Sequence, residues 1–355
     1  MSWNAVDALS DARTATESLL LPFDARTWAK LALVVFFVGT GTNASVTTNG
    51  SGSASSGTGG SGVPFGSDVD LGAFSPNEVL SALGGVSALR IAAGIALIFA
   101  LLFVLHSFLA AVFEFVFVVG VADRDVRIRG PFRSHLGDGA RLFAFRLLLG
   151  VAAFSLFAVP VAAALLGAVS LGPELFLVVI PVFLVGVVVA LLVALVLGLT
   201  RDFVVPAMLV EDCGVLAGWR RVLPTMRAEW EEFALYVVVR FGLGILVGAV
   251  MAVALALVAL VVAVPFVLLG GALFLAFSPL SGALSVGSVL LGAVVFLYVV
   301  ALAVAGLFVS VPVAVYFRYY SLLLLAGVDS GLDVVGRPDE PTDDARDAGA
   351  GDAAV

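Results

Sequence analysis

The chain has 355 residues, 61% of them hydrophobic and 12% charged, with a formal net charge of −8 and a mean hydropathy of +1.16. A soluble domain is nearer half apolar and a quarter charged, and its surface-to-volume ratio gives it no place to hide the excess seen here. The composition excludes a soluble globular protein of this length and points to an all-α, polytopic helical membrane protein.

In chain order, residues 4–21 place Val6, Leu9, Ala12, Thr16, Leu19 and Leu20 near helical spacing, which predicts a short amphipathic helix lying on the membrane. The first thirteen residues lack a basic stretch followed by an apolar one, so the first span is expected to serve as the insertion signal. Pro22 ends the first helix, Asp24 can cap the next, and Trp28 and Lys30 suit the membrane interface. The apolar run that follows is short. With its flanks, 27–42, it would reach ~24 Å, so a re-entrant segment is the alternative to a full crossing.

Residues 43–75 are rich in Gly, Ser and Thr, hold no basic residue, and read as a flexible external loop with two sequons, at Asn43 and Asn49. Ser75-Pro76-Asn77-Glu78 has the form of a helix start, and the helix can run through Gly84-Gly85 into the second span. Four uncharged runs follow: Ile91 to Phe113, Leu147 to Pro173, Leu175 to Thr200, and Phe241 to Phe317. Only Ser-Leu-Gly-Pro-Glu separates the second from the third, so those two form a hairpin. The last run has 77 residues, too many for one span, and Gly270-Gly271 with the Phe-Ser-Pro-Leu-Ser-Gly segment at 277–282 mark its break.

Seventeen of the eighteen Lys and Arg residues fall on alternate connections, and only Arg90 strays. Arginine collects at 122–146 and 201–240, while the connections between them have no basic residue. This positive-inside bias predicts six transmembrane helices, near 27–42, 89–119, 143–171, 174–203, 236–268 and 287–317, within a membrane domain at 27–325. It places a cytoplasmic amphipathic segment at 1–26, cytoplasmic interfacial helices between spans, and an acidic tail at 326–355 that is expected to be disordered. Both termini are expected in the cytoplasm of a multi-pass cell-membrane protein.

Chemistry-bearing patterns are scarce. Glutamine is absent, and the four asparagines all lie outside the predicted spans. Cys213 is the single cysteine, so neither an intrachain disulfide nor a multi-cysteine metal site can form. No phosphate-binding loop, nucleophile elbow or zinc-protease motif is found, and no catalytic, cofactor or metal residue is assigned. Leu136-Gly137-Asp138-Gly139 contains a Gly-Asp pair like that of intramembrane aspartyl proteases, but it sits in a charged loop with no second intramembrane aspartate. Within the uncharged runs His106 is the one side chain titrating near neutral pH. A proton relay from His106 to Glu114 is disfavoured, because eight residues separate them by about 80° around a helix and ~12 Å along it. Glu114 is expected to be buried and paired, with an arginine as partner. Proline at 160, 181, 265 and 312 could open helices to a backbone-lined path, although such kinks are common in plain membrane helices.

The most suggestive surface is 213–233, where Val215, Leu216, Trp219, Val222 and Leu223 recur near helical spacing beside Arg220, Arg221 and Arg227. That pattern suits an amphipathic helix on an anionic leaflet, with Trp219, Arg220, Arg221 and Arg227 as candidate lipid contacts.

The segments 15–39, 113–147 and 203–240 resemble a group of uncharacterised haloarchaeal multi-span membrane proteins. The preference for aspartate over glutamate and the single lysine fit that resemblance, since near 1 M salt the Debye length falls to about 3 Å and crowded carboxylates barely repel. A GC-rich genome would give the same arginine bias. The Val-Pro-x4-Glu-x2-Gly-Val segment at 205–215 with Trp219-Arg220-Arg221 is also similar to the membrane domain beside some glycerophosphodiester phosphodiesterases, but the catalytic barrel of those enzymes has no counterpart here. The resemblance implies a helical membrane domain without known chemistry. The resulting expectation is a non-enzymatic membrane protein with membrane lipids as partners, no nucleic acid, and a role organising lipids or proteins at the cytoplasmic face. The alternative is a transporter or permease component with a backbone-lined pathway.

Overall fold

The computed structural model describes residues 4–39, 88–165, 175–277 and 286–336. Among these residues every regular element is helical. The predicted loop at 43–75, the helix start at Ser75, most of the 277–282 break and the tail from 337 lie outside the described residues.

Helix α1 (Asn4–Leu20) buries Ala5, Ala8, Ala12, Ala15, Thr16 and Leu20. This is a different face from the one expected to meet lipid, and Val6 is turned out. Small side chains at this spacing let the helix backbone lie close to its neighbours. The Glu232 carboxylate accepts from the Asn4 and Ala5 N–H groups at 3.1 and 3.0 Å, satisfying donors that a helix start leaves open and opposing its positive dipole end. Helix α2 (Ala25–Val38) is capped by Asp24, which accepts from the Arg26 and Thr27 N–H groups. The Trp28 indole donates to the Leu20 carbonyl, and Lys30, the sole lysine, donates to the carbonyl of Val126.

Five helices are long and apolar enough to cross a membrane, within Ala93–Ala122, Leu136–Leu156, Ile180–Glu211, Trp230–Ala276 and Val289–Val328. They correspond to the second through sixth predicted spans. The first predicted span, 27–42, is represented by α2. Its 14 residues give about 21 Å against a hydrocarbon core of about 30 Å, so it is too short to cross alone.

The long helices are α3 (Ala88–Ala122), α5 (Leu136–Leu165), α6 (Leu175–Leu199), α9 (Trp230–Phe277) and α10 (Val286–Val328). Between them lie the short α4 (Arg129–Ser134), α7 (Val205–Glu211) and α8 (Val215–Ala228). A π turn, Thr200–Val204, joins α6 to α7, and a 3-10 turn, Ser330–Leu332, follows α10. Pro181, Pro265 and Pro312 each sit inside a continuous helix. Helices α5 and α6 pack against each other as the expected hairpin.

The described chain forms two compact units. One draws on Met1–Gly41, Phe108–Gly242 and Pro312–Val355, the other on Thr42–Ser107 and Leu243–Val311. In the second, parts of α9 and α10 meet where Gly270 faces Leu291 and Val294, and the Phe266 and Tyr298 rings pack edge to face at 5.6 Å. Most of its remaining apolar side chains, Leu246, Val250, Val253 and Leu257 among them, point outward, as lipid-facing residues do.

The first unit has a sealed core of Phe115, Phe117, Phe203, Tyr236, Tyr319, Tyr320 and Leu324. Phe203 contacts both Phe233 and Tyr236 with ring centroids 5.0 Å apart, and Tyr236 stacks on Tyr320. Two glycines bring backbones together there. A Cβ on Gly139 would lie 2.5 Å from Val112 Cγ2 and 2.9 Å from its Cα, and one on Gly218 would lie 2.9 Å from Val204 Cγ1. The Gly-Asp pair at 137–138 thus belongs to the start of α5. Gly139 permits its approach to α3, and Asp138 pairs with Arg141 at 3.0 Å. Helix α10 runs on to Val328 and Leu332 is buried, so the beginning of the predicted tail is folded against this unit.

Candidate functional site

Charged side chains meet inside the first unit. Glu114 of α3 has 1% of its side chain exposed and is the shared partner of three guanidiniums. Arg201 Nε donates to its Oε1 at 2.9 Å, Arg318 Nη2 donates to the same oxygen, and Arg146 Nη2 reaches Oε2 at 3.4 Å. Arg201 also donates from Nη2 to the carbonyl of Gly39 at the end of α2, and Arg318 donates from Nη1 to the carbonyl of Arg201.

The neighbouring residue, Asp202, faces a second set of partners. Its Oδ1 lies 3.3 Å from Arg240 Nη2, and its Oδ2 accepts from the Tyr236 hydroxyl at 3.1 Å. The Arg240 guanidinium lies over the Phe317 ring at 5.2 Å and donates to the Tyr236 oxygen. The π turn is what lets Arg201 and Asp202 both face inward. A residue added to the helical turn brings successive side chains onto the same side, and such bulges recur at functional positions. Thr200, at its start, is fully buried. Its hydroxyl donates to the Val196 carbonyl and accepts from the Trp219 indole N–H at 3.1 Å.

The cluster joins α2, α3, α5, the π turn, α9 and α10. Breaking such a buried pair leaves a charge without compensation, so the network fixes these elements relative to one another. A small cavity of about 10 Å³ is lined by Arg201, Asp202, Arg240, Ala314, Phe317 and Arg318.

The four candidate lipid contacts of α8 separate onto two faces. Trp219 and Arg221 turn inward. The Trp219 indole is engaged by Thr200, and Arg221 donates from Nε to Glu211 and from Nη1 to Asp329, both at 2.7 Å. Hydrogen bonding with Asp329 raises the Arg221 guanidinium above its ordinary value, and the same bond holds the Asp329 carboxyl below its own. Arg220 and Arg227 remain exposed. With Leu216 and Leu223 they form one outward stripe at 216, 220, 223 and 227. Of the two intramembrane polar candidates, Glu114 is the hub of the cluster, whereas His106 is exposed and belongs to the second unit. Among the described residues no three of His, Cys, Asp and Glu come together as metal ligands.

A larger concavity of about 890 Å³ lies beside the loop between α3 and α5. Phe37, Leu109, Phe113 and Phe132 supply its apolar wall, and Arg129 and Arg133 stand at its edge. The Phe37 and Phe113 rings stack at 4.6 Å. Both arginines are exposed, and neither is in an ion pair among the described residues. No sequence pattern announced this groove, because its walls come from residues as far apart as 37 and 132.

Long apolar helices around a sealed polar cluster define a multi-pass helical membrane protein. The chain belongs to the family of unknown function DUF7544, whose model matches residues 3–335. No curated protein and no solved structure matches it.

Proposed function

We propose that this is a non-enzymatic protein of the cell membrane that holds anionic lipid at its arginine-bearing surfaces, with those surfaces and both termini on the cytoplasmic side. The observation that carries the reading is the groove beside α4. Its apolar wall matches acyl chains, and Arg129 and Arg133 offer guanidiniums suited to bidentate contact with phosphate. The outward stripe of α8, alternating Leu216, Arg220, Leu223 and Arg227, supports it as a second surface with apolar and cationic groups at interfacial depth. The alternation of basic residues along the chain supports the sidedness. The cavity in the polar cluster, about 10 Å³, lends no support to a pathway for polar solutes.

The test is native mass spectrometry of the purified protein with phosphatidylglycerol and, separately, phosphatidylcholine. Retention of the anionic lipid over the neutral one is expected. Each basic residue near an anionic surface contributes about 1 kcal/mol, so R129A/R133A should weaken that retention roughly thirtyfold. Equal retention of the two lipids, or an unchanged preference in the double variant, would overturn the reading.

A further inference from the structure

We infer that the cavity between Arg201, Arg240 and Arg318 is a binding site for a monatomic anion of chloride's size, a role beyond the lipid contacts proposed above. Three observations lead to it. The first is charge. Arg146, Arg201, Arg240 and Arg318 bring four positive charges into a cluster whose carboxylates are Glu114 and Asp202. Two positive charges are in excess at a place where Arg318 has 2% and Glu114 1% of its side chain exposed. Uncompensated charge away from water is costly, and an anion is the direct remedy.

The second is donor geometry. A guanidinium carries five N–H donors. Among the described residues, Arg201 commits Nε and Nη2, Arg318 commits Nη1 and Nη2, and Arg240 commits Nη1 and Nη2. Arg201 Nη1 and the Nε groups of Arg240 and Arg318 lie outside these bonds, on three side chains that share one cavity wall. Asp202 is also on that wall, but its two oxygens are engaged by Arg240 and Tyr236.

The third is size. The cavity has about 10 Å³, room for about one water-sized sphere. A phosphate or carboxylate group, with several heavy atoms, does not fit, whereas a single halide needs only a small adjustment of the arginine side chains. The π turn is therefore also the feature that brings Arg201 and Asp202 to the same site.

The experiment uses the full-length protein in mild detergent. Unfolding is followed by temperature as chloride replaces gluconate at constant ionic strength. Ligand linkage predicts a rise of about 2–4 °C for each tenfold increase in chloride above its dissociation constant, with bromide acting alike. Ala314→Val fills the cavity while leaving every charged group in place, and should abolish the halide-dependent rise. Bromide diffused into crystals of the unaltered protein should give an anomalous peak within hydrogen-bonding range of the three guanidiniums, a readout that stands even if the variant does not fold. A melting temperature indifferent to chloride at constant ionic strength, a full chloride response in a folded Ala314→Val protein, or bromide bound only elsewhere would each overturn the proposal.

Discussion

Arg318 and Glu114, 204 positions apart in the chain, are hydrogen-bonded to each other with both side chains closed off from solvent. Glu114 also receives Arg201 and Arg146, so one carboxylate compensates three guanidiniums. Glu114→Gln keeps the shape and removes the charge. Destabilisation by about 3–5 kcal/mol is expected, the range for breaking a buried ion pair from one side. Denaturant unfolding in mild detergent measures it. Arg13→Ala, which removes an exposed pair with Glu17, serves as the control and should leave the transition in place.

The Asp329–Arg221 pair has a different signature, because it lies beyond the spans and is partly exposed. Asp329 titrates below its ordinary value of 3.8, chiefly through its hydrogen bond with Arg221. A carboxyl whose folded value is depressed adds stability that is present at neutral pH and is lost as the pH falls from 3.8 towards and through the folded value. Asp329→Asn should therefore cost about 1 kcal/mol or less at pH 7 and flatten the acid side of the stability profile. Melting temperature against pH for the two proteins checks this, and parallel profiles would count against the pair.

Gly139 lies where α5 meets α3, and an added methyl would come 2.5 Å from Val112 Cγ2. Gly139→Ala should destabilise by about 1–3 kcal/mol, the usual range for overpacking. Val112→Ala should recover part of the loss in the double variant, although the backbone of Val112 is also close. A double-mutant cycle measures that coupling.

Cys213, the only cysteine, is a native reporter of sidedness. A maleimide that does not cross membranes should label it in inverted vesicles and leave it unlabelled in intact cells. The thiol is held above its ordinary value, first by desolvation and then by Glu211, Asp138 and Asp212, so labelling should accelerate as the pH rises past the usual thiol range. Labelling in intact cells would reverse the proposed orientation.

Much of the fold is legible in the positions of the charges. The uncharged runs predicted the long helices, and the residues bounding those runs turn out to be the cluster: Glu114 after the first, Arg146 before the second, Arg201 after the third, and Arg240 and Arg318 flanking the last. Read singly, each arginine reports only which side of the membrane its loop occupies. Read together, they lie at one depth, and a lone glutamate at that depth implies pairing. What sequence could not supply was the rotation of each helix, which the π turn at Thr200–Val204 changes locally. The face of α1 was misjudged for a related reason. Leucine and valine dominate a hydropathy pattern, whereas the buried stripe is alanine, which weighs little in such a pattern but allows close backbone approach. Trp219 and Arg221 look like interfacial residues by type, and only packing against the π turn and Asp329 reveals that they face inward.

The π turn makes chain length at 200–204 a counted quantity. Deleting one residue there would let the helix revert to ordinary winding and swing everything after it by about 100° relative to everything before. Arg201 and Asp202 could then no longer both serve their partners, and Trp219 would lose Thr200. Side chains of similar size can be exchanged along this stretch, but its number of residues cannot change without dismantling the joint it forms.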